Sequence, residues 1–331
     1  MLILRLLIAL LIVPLAACAT AGSGQPQRRI ALSFDDVPRH AGAFFSPDER
    51  TAELIAALRR GRVRQAGFFV TTGNLDRPAG AGGEARIAAY VRAGHVIANH
   101  SHAHVRLTRT DPAAYVADLD RAEAWLRGRP GYRPWFRFPF LDEGGRDTAR
   151  RDALRAALVA RGLRNAYVTI DNYDWHLDSI ASQARRDGRE IDMAALRDLY
   201  VGTLVDTANF YDLMAVETLG RSPAHVLLLH ETDLAAMFVD DLATALRAAG
   251  WEIVPIDEAY RDPIAATEPD TWFLGEGRVA ALAQMTGRAP RTLVHPRTDE
   301  DELTRLFRER VLGEGAGSGG NIGAARPLAK R

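Results

Sequence analysis

Short apolar runs recur along the chain, and between them apolar positions return every three or four residues. Ile30-Ala31-Leu32-Ser33-Phe34 reads as a strand, Glu49 to Arg60 as a helix and Ala66 to Val70 as a second strand. Glu84 to Arg92 is helical, and His95 to Ala98 forms a third strand. Asp111-Pro112 opens the next helix, with Asp as cap and Pro at the first position, and that helix runs to about Arg127. Trp135 to Phe138 follows as a strand, then a helix across 147–161 and a strand from Ala166 to Ile170. Val226 to Leu229 is another strand. Leu234 to Ala249 is a helix closed by Gly250, and Trp251 to Ile256 is the last strand. This alternation of about seven strands with helices predicts a parallel sheet or barrel.

Two segments depart from the repeat. Residues 176–225 exceed what one crossover helix needs. Met193 to Leu219 is helical throughout, which suggests an inserted helical pair. Residues 263–312 form a C-terminal appendage with Trp272, Phe273, Leu282 and a charged amphipathic helix at 299–312, and from Gly313 to Arg331 the composition suggests disorder. The other end reads as a leader. Met1 to Arg5 is a short n-region, and Leu6 to Leu15 is an apolar stretch too short to span a bilayer comfortably. Leu15-Ala16-Ala17-Cys18 resembles the bacterial lipoprotein cleavage box, so residues 1–17 are expected to be removed and Cys18 lipidated, with 18–27 as a tether. A plain secretory signal is the alternative. Ala19 in place of Asp implies, by that resemblance, the outer membrane facing the periplasm.

Cys18 is the only cysteine, so it has no disulfide partner within the chain. Lys+Arg and Asp+Glu balance at 42 each, and nothing in that balance argues for nucleic acid.

The chemistry gathers where strands end. Asp35, Asp36, His100, Asp171, Asp174 and His230 all follow apolar runs, and barrel enzymes place their sites at that face. In Asn99-His100-Ser101-His102-Ala103-His104, two histidines stand four apart. On a helical turn they would share one face and could bind a single metal; in a polar loop they would cap and solvate. Adjacent carboxylates at Asp35-Asp36 would diverge, and so take different tasks.

Five stretches in order resemble the polysaccharide deacetylases with a NodB-type domain, carbohydrate esterase family 4. They are Ser33-Phe34-Asp35-Asp36, His100 to His104, Arg137-Phe138-Pro139-Phe140, Asp171 to Trp175 and Leu228-Leu229-His230. The resemblance spans residues 28–262. It implies a distorted (β/α)7 barrel and metal-dependent removal of acetyl groups from sugars. It assigns Asp36, His100 and His104 to one divalent ion, zinc first, with cobalt, nickel or manganese as alternatives. Asp35 becomes the base and His230 the general acid, with Arg137 and Asp174 as their ion-pair partners. The Phe140 N–H would face the oxyanion, and Trp175 and Leu228 would wall the acetyl methyl.

Val37 and Leu141 stand where the family commonly has Gly, and Glu231 where Asp is usual. His40, His95, His176, His225 and His295 match no motif. The reading is a lipid-anchored envelope deacetylase acting on an N-acetylated glycan. Its rivals are an O-acetyl esterase or other acyl hydrolase on the same site, and a catalytically silent glycan-binding lipoprotein.

Overall fold

The computed structural model describes residues 27–314. Cys18, the leader and most of the tether lie outside the described residues, as does the tail beyond Glu314. In chain order the elements are β1 (Arg28–Val37), α1 (Pro47–Arg60), β2 (Gly67–Val70), α2 (Gly83–Arg92), β3 (Val96–Asn99), α3 (Pro112–Leu126), β4 (Tyr132–Phe136) and α4 (Thr148–Ala160). There follow β5 (Arg164–Asn165), α5 (Asp174–Arg186), α6 (Met193–Leu219), β6 (Ala224–His230), α7 (Asp233–Ala248), β7 (Trp251–Ile253), α8 (Ile256–Ala259), α9 (Arg278–Met285) and α10 (Glu300–Arg310).

Local chemistry sets many boundaries. Ser46 and Glu49 close a capping box ahead of α1, with Pro47 in its first turn. Asp111 accepts from the N–H groups of Ala113 and Ala114 at the start of α3, as its Asp-Pro pair suggested. The long helix α6 buries a stripe at helical spacing, from Leu196, Leu199 and Tyr200 through Leu204, Ala208 and Tyr211 to Ala215. Gly220, at φ 70°, ends it. Among the described residues no helix is long and apolar enough to cross a membrane.

All the strands pair in parallel, in the order β5-β4-β3-β2-β1-β6. Ile30 pairs with both His225 and Ile253, so β7 takes the lower part of the edge of β1 that β2 occupies higher up. The chain beyond β5 then crosses to the far side, where Ile170 bridges Leu227 of β6. That contact closes the ring into a distorted (β/α)7 barrel. Its interior is continuous with the packing outside. Phe34 stacks on Phe68, and Phe68 on Tyr90 of α2, with centroids 5.0 and 4.0 Å apart.

The inserted pair is α5 and α6, and both pack against α7. The C-terminal segment has no core of its own. Val279, Ala280, Leu303, Leu306 and Phe307 join the same apolar cluster as the strands. The Arg278 N–H donates to Val168 O at 2.8 Å, tying this segment to the closing stretch. Asp262 fixes the bottom of the barrel. Its buried carboxylate accepts from both terminal nitrogens of Arg221 and from the backbone N–H groups of Ala224 and Ile264.

Candidate active site

Regular strand geometry would send Asp35 and Asp36 to opposite faces. Here the register of β1 against β2 slips between Phe34 and Val37, and Asp36 takes φ 68°. Alternation breaks, and both carboxylates reach the same histidine. Nε2 of His100 lies 3.7 Å from Asp35 Oδ2 and 3.6 Å from Asp36 Oδ1. The expected divergence is therefore corrected, although the two acids keep separate partners. Asp35 is buried against Arg137, whereas Asp36 meets His104 Nε2 at 3.0 Å and Arg39 Nη1 at 3.1 Å.

His100 and His104 do not share a helical face. The segment after β3 is irregular, with Ser101 at φ 66° and His104 at φ 53°. The rings still meet, with centroids 4.9 Å apart. Neighbouring backbone holds the loop in this shape. Asp118 of α3 accepts from the N–H groups of His102 and Ala103 at 3.0 and 2.9 Å. Thr72 and Gly73 donate to the carbonyls of Ser101 and His102. The approach requires glycine, since a Cβ on residue 73 would lie 2.3 Å from His102 O. The His102 ring turns away to Thr72 Oγ1, 3.0 Å distant.

The donor set fits one divalent ion. Ligand atoms of Asp36, His100 and His104 all lie within 4.8 Å of one another. Nδ1 of His100 faces the Arg137 carbonyl at 2.9 Å. A carbonyl only accepts, so Nδ1 carries the proton and the Nε2 lone pair looks toward the carboxylates. Facing lone pairs at this range need a cation or a proton between them. Burial alone would raise the Asp36 carboxyl, but His100 and His104 hold it well below the usual carboxylate range. Two imidazole nitrogens and an ionised carboxylate suit zinc and similar ions.

Arg137 follows β4 and is 1% exposed. Nη1 donates to both oxygens of Asp35, at 2.9 and 3.1 Å. Nη2 reaches Ser33 Oγ at 3.3 Å and Tyr260 Oη at 3.0 Å, and Nε donates to the Ala166 carbonyl. Tyr260, just beyond α8, then donates to the Tyr167 carbonyl at 3.0 Å. No motif pointed to Tyr260 or to Arg39.

On the other side, Asp174 opens α5 and receives His230 twice. The backbone N–H of His230 is 2.8 Å from Oδ2, and its Nδ1 is 2.7 Å from Oδ1. Asn172 steadies the turn, its Oδ1 accepting from the Asp174 N–H at 3.0 Å and its amide donating to the Leu228 carbonyl. Burial would lower the His230 pKa, but Asp174, with help from Asp36 and Asp35, pushes it up to about 9. These anions favour the imidazolium form in the metal-free protein.

The remaining candidates divide. Phe140 is 46% exposed at φ 59°, its ring centroid 4.5 Å from that of His104 and 3.9 Å beneath the Arg106 guanidinium. Leu141 follows at φ 52°, which explains why glycine suits that position. Trp175 is half-buried in the first turn of α5, and Leu228 is buried in β6. Four of the five unassigned histidines have structural partners: His225 lies between Thr169 and Asp212, and His95 accepts from the Ala66 N–H. His176 and His295 pair with Thr304 and Thr207.

The sequence model of the family described as polysaccharide deacetylase matches residues 22–160. This stretch of the chain is similar to a polysaccharide deacetylase domain. The match includes Asp35, Asp36, His100, His104 and Arg137, and it stops short of Asp174 and His230, which pair with each other beyond it. No curated protein matches the chain. Among solved structures, a family 4 carbohydrate esterase from Streptomyces lividans in complex with acetate is 22% identical, covering 68% of this chain and 90% of that one with a TM-score of 0.45. The peptidoglycan deacetylase PdaC from Bacillus subtilis is 19% identical over 71% of this chain and 91% of its own, with a TM-score of 0.45. The polysaccharide deacetylase Bc1974 from Bacillus cereus is 19% identical over 69% and 92%, with a TM-score of 0.49.

Two outcomes follow from this geometry. His100→Ala should abolish high-affinity binding of one divalent ion per chain in a titration calorimeter, whereas His102→Ala should retain it. Equal loss from both changes would overturn the ligand set. In the metal-free protein, the His230 ring should titrate by NMR with a midpoint near 9, in line with its raised pKa. It is charged below that pH and neutral above it. Asp174→Asn removes the facing anion and should bring the midpoint down by two units or more, since about 1.4 kcal/mol corresponds to each unit.

Proposed function

We propose that this chain is a metal-dependent hydrolase that removes acetyl groups, N-acetyl foremost, from a polysaccharide of the cell envelope or its surroundings. The observation that carries the reading is a pairing of opposite roles around one ligand cluster. Asp36, His100 and His104 are gathered together, with a carboxylate held by Arg137 on one side and an imidazolium held by Asp174 on the other. Hydrolysis of an amide needs both.

An acetamide is a poor electrophile, and its nitrogen is a poor leaving group. A divalent ion held by Asp36, His100 and His104 supplies Lewis acidity toward the acetyl carbonyl and acidifies a water. Zinc suits the donor set best, with cobalt, nickel and manganese as alternatives. Asp35 takes the proton of the attacking water, and Arg137 fixes that carboxylate in position. The Phe140 N–H donates to the developing oxyanion. His230 gives its proton to the departing nitrogen, while Asp174 orients the ring and stabilises its charged form. Trp175 and Leu228 wall the acetyl methyl.

The leader completes the reading. Lipidation at Cys18 would hold the enzyme at the bacterial envelope, at the outer membrane facing the periplasm, with residues to 27 as a tether. Each further acyl methylene adds about 0.8 kcal/mol of anchoring.

The full chain loaded with zinc should release acetate from chitin oligomers or peptidoglycan. His230→Ala should slow that release by about 10²–10⁴-fold while affecting an activated aryl acetate far less, because a phenolate leaves without a proton. Equal slowing of both substrates would assign His230 to positioning instead. In cells, Cys18→Ala should lose all labelling by a fatty-acid probe. Label that persists would refute the lipobox.

A further inference from the structure

The bottom of the barrel, opposite the ligand cluster, is built from the stretches where the chain enters each strand. These are residues 27–29, 59–66, 92–95, 127–133, 161–165, 220–224 and 247–252. Together they carry fourteen arginines and one acid, Glu252. The chain as a whole balances at 42 basic and 42 acidic side chains, so its charge is polarised along the barrel axis.

The stretches touch, and their arginines make one surface. Arg247 Nη2 donates to the Arg62 carbonyl at 3.2 Å, and Arg28 reaches the Ala249 carbonyl. A Cβ on Gly94 would lie 3.7 Å from the Arg64 carbonyl oxygen, and the Ile97 N–H donates to Gly131 O at 3.0 Å. Part of the charge is used within the fold, where Arg29, Arg133 and Arg221 meet Glu258, Asp257 and Asp262. Arg59, Arg62, Arg64, Arg92, Arg164 and Arg247 are different. All six are exposed, and none forms an ion pair among the described residues. Burial, then the like charge of Arg62, lowers Arg247. A surface of this kind attracts anions.

Two further observations select the anion. The stretch that follows Cys18 enters the fold at this same end, at Arg28. Ten residues of chain reach at most about 35 Å, so an anchor at Cys18 holds this end of the barrel close to the bilayer. Beside it, Arg28 Nη1 lies 2.8 Å from Asn209 Oδ1 of α6, and the C-terminal turns of that helix expose Leu213 at 65% and Val216 at 44%. Guanidinium groups around exposed apolar side chains match a phospholipid interface, with phosphates above and acyl chains beneath.

We propose that the arginine end of the barrel rests on anionic phospholipid headgroups, with Leu213 and Val216 at the interface, so that the ligand cluster opens away from the anchoring membrane. The proposal rests on the anchoring reading and narrows the substrate to glycan that stands off that membrane.

The test uses the full chain carrying Cys18→Ala, so that no acyl chain contributes, with vesicles of phosphatidylcholine alone or mixed in equal parts with phosphatidylglycerol. Cosedimentation should be about tenfold tighter or more on the anionic vesicles and should weaken as salt rises. Combining Arg62→Gln, Arg64→Gln and Arg92→Gln should remove about tenfold of that preference, whereas lysine at the same three sites should keep it. The leader is common to all these chains and drops out of the comparison. On anionic vesicles, amides 59–66 and 92–95 should gain protection from hydrogen exchange while the loop 101–109 gains none. Equal binding to both vesicles, or a preference unmoved by the glutamine changes, overturns the surface. Protection of 101–109 instead overturns the orientation, and tighter binding to duplex DNA than to the anionic vesicles overturns the lipid assignment. Fatty-acid label on the parent chain without any vesicle preference overturns the surface alone. A preference lost in the glutamine variant, with no label on the parent chain, overturns the anchor and keeps the surface.

Discussion

A guanidinium buried at the centre of the barrel must have a partner for every N–H, because an unpaired charge there costs several kcal/mol. Arg137 meets that demand with groups from almost every side of the ring. Its side chain reaches Asp35 and Ser33 of β1, the Ala166 carbonyl beyond β5 and Tyr260 near the last strand, and it lies 4.1 Å from the centre of the Phe69 ring in β2. Its own carbonyl fixes the tautomer of His100. Folding the core and arming the site are thus one event. Whatever tightens this residue tightens the strands, Asp35 and His100 together.

Much of this was legible in the sequence, and for identifiable reasons. Apolar runs and helical spacing located the strands and helices because both faces of a parallel sheet are covered. Strand ends located Asp35, His100, Asp174 and His230 because a βα barrel opens there. What spacing could not convey was backbone torsion. Asp36 at φ 68° and His104 at φ 53° gather side chains that a regular strand or helix would have aimed differently. The strand read at Ala166 to Ile170 is instead a two-residue strand at Arg164–Asn165 followed by a lone bridge at Ile170, and Tyr260 was missed because it comes after the last motif.

The Glu at 231 has a local explanation. Its two oxygens accept from Tyr90 Oη and the Arg39 N–H, both at 2.6 Å. Two residues on, Asp233 accepts from the Phe44 N–H and from Arg50. Both carboxylates sit at the start of α7, so one helix end pins the whole loop that follows β1. The longer side chain at 231 reaches over to α2 and holds that loop from beneath.

The bridge that closes the ring also has a mechanical meaning. On one side of it the chain runs on to Asp174, and on the other β6 runs up to His230. Only a few backbone hydrogen bonds, among them Leu228 N–H to Ile170 O at 3.1 Å, staple these two segments. If this seam breathes, the imidazole and the carboxylate that keeps it charged move apart, and the proton is released to solvent. Amide exchange at Leu228 is therefore a gauge of how long His230 and Asp174 stay together.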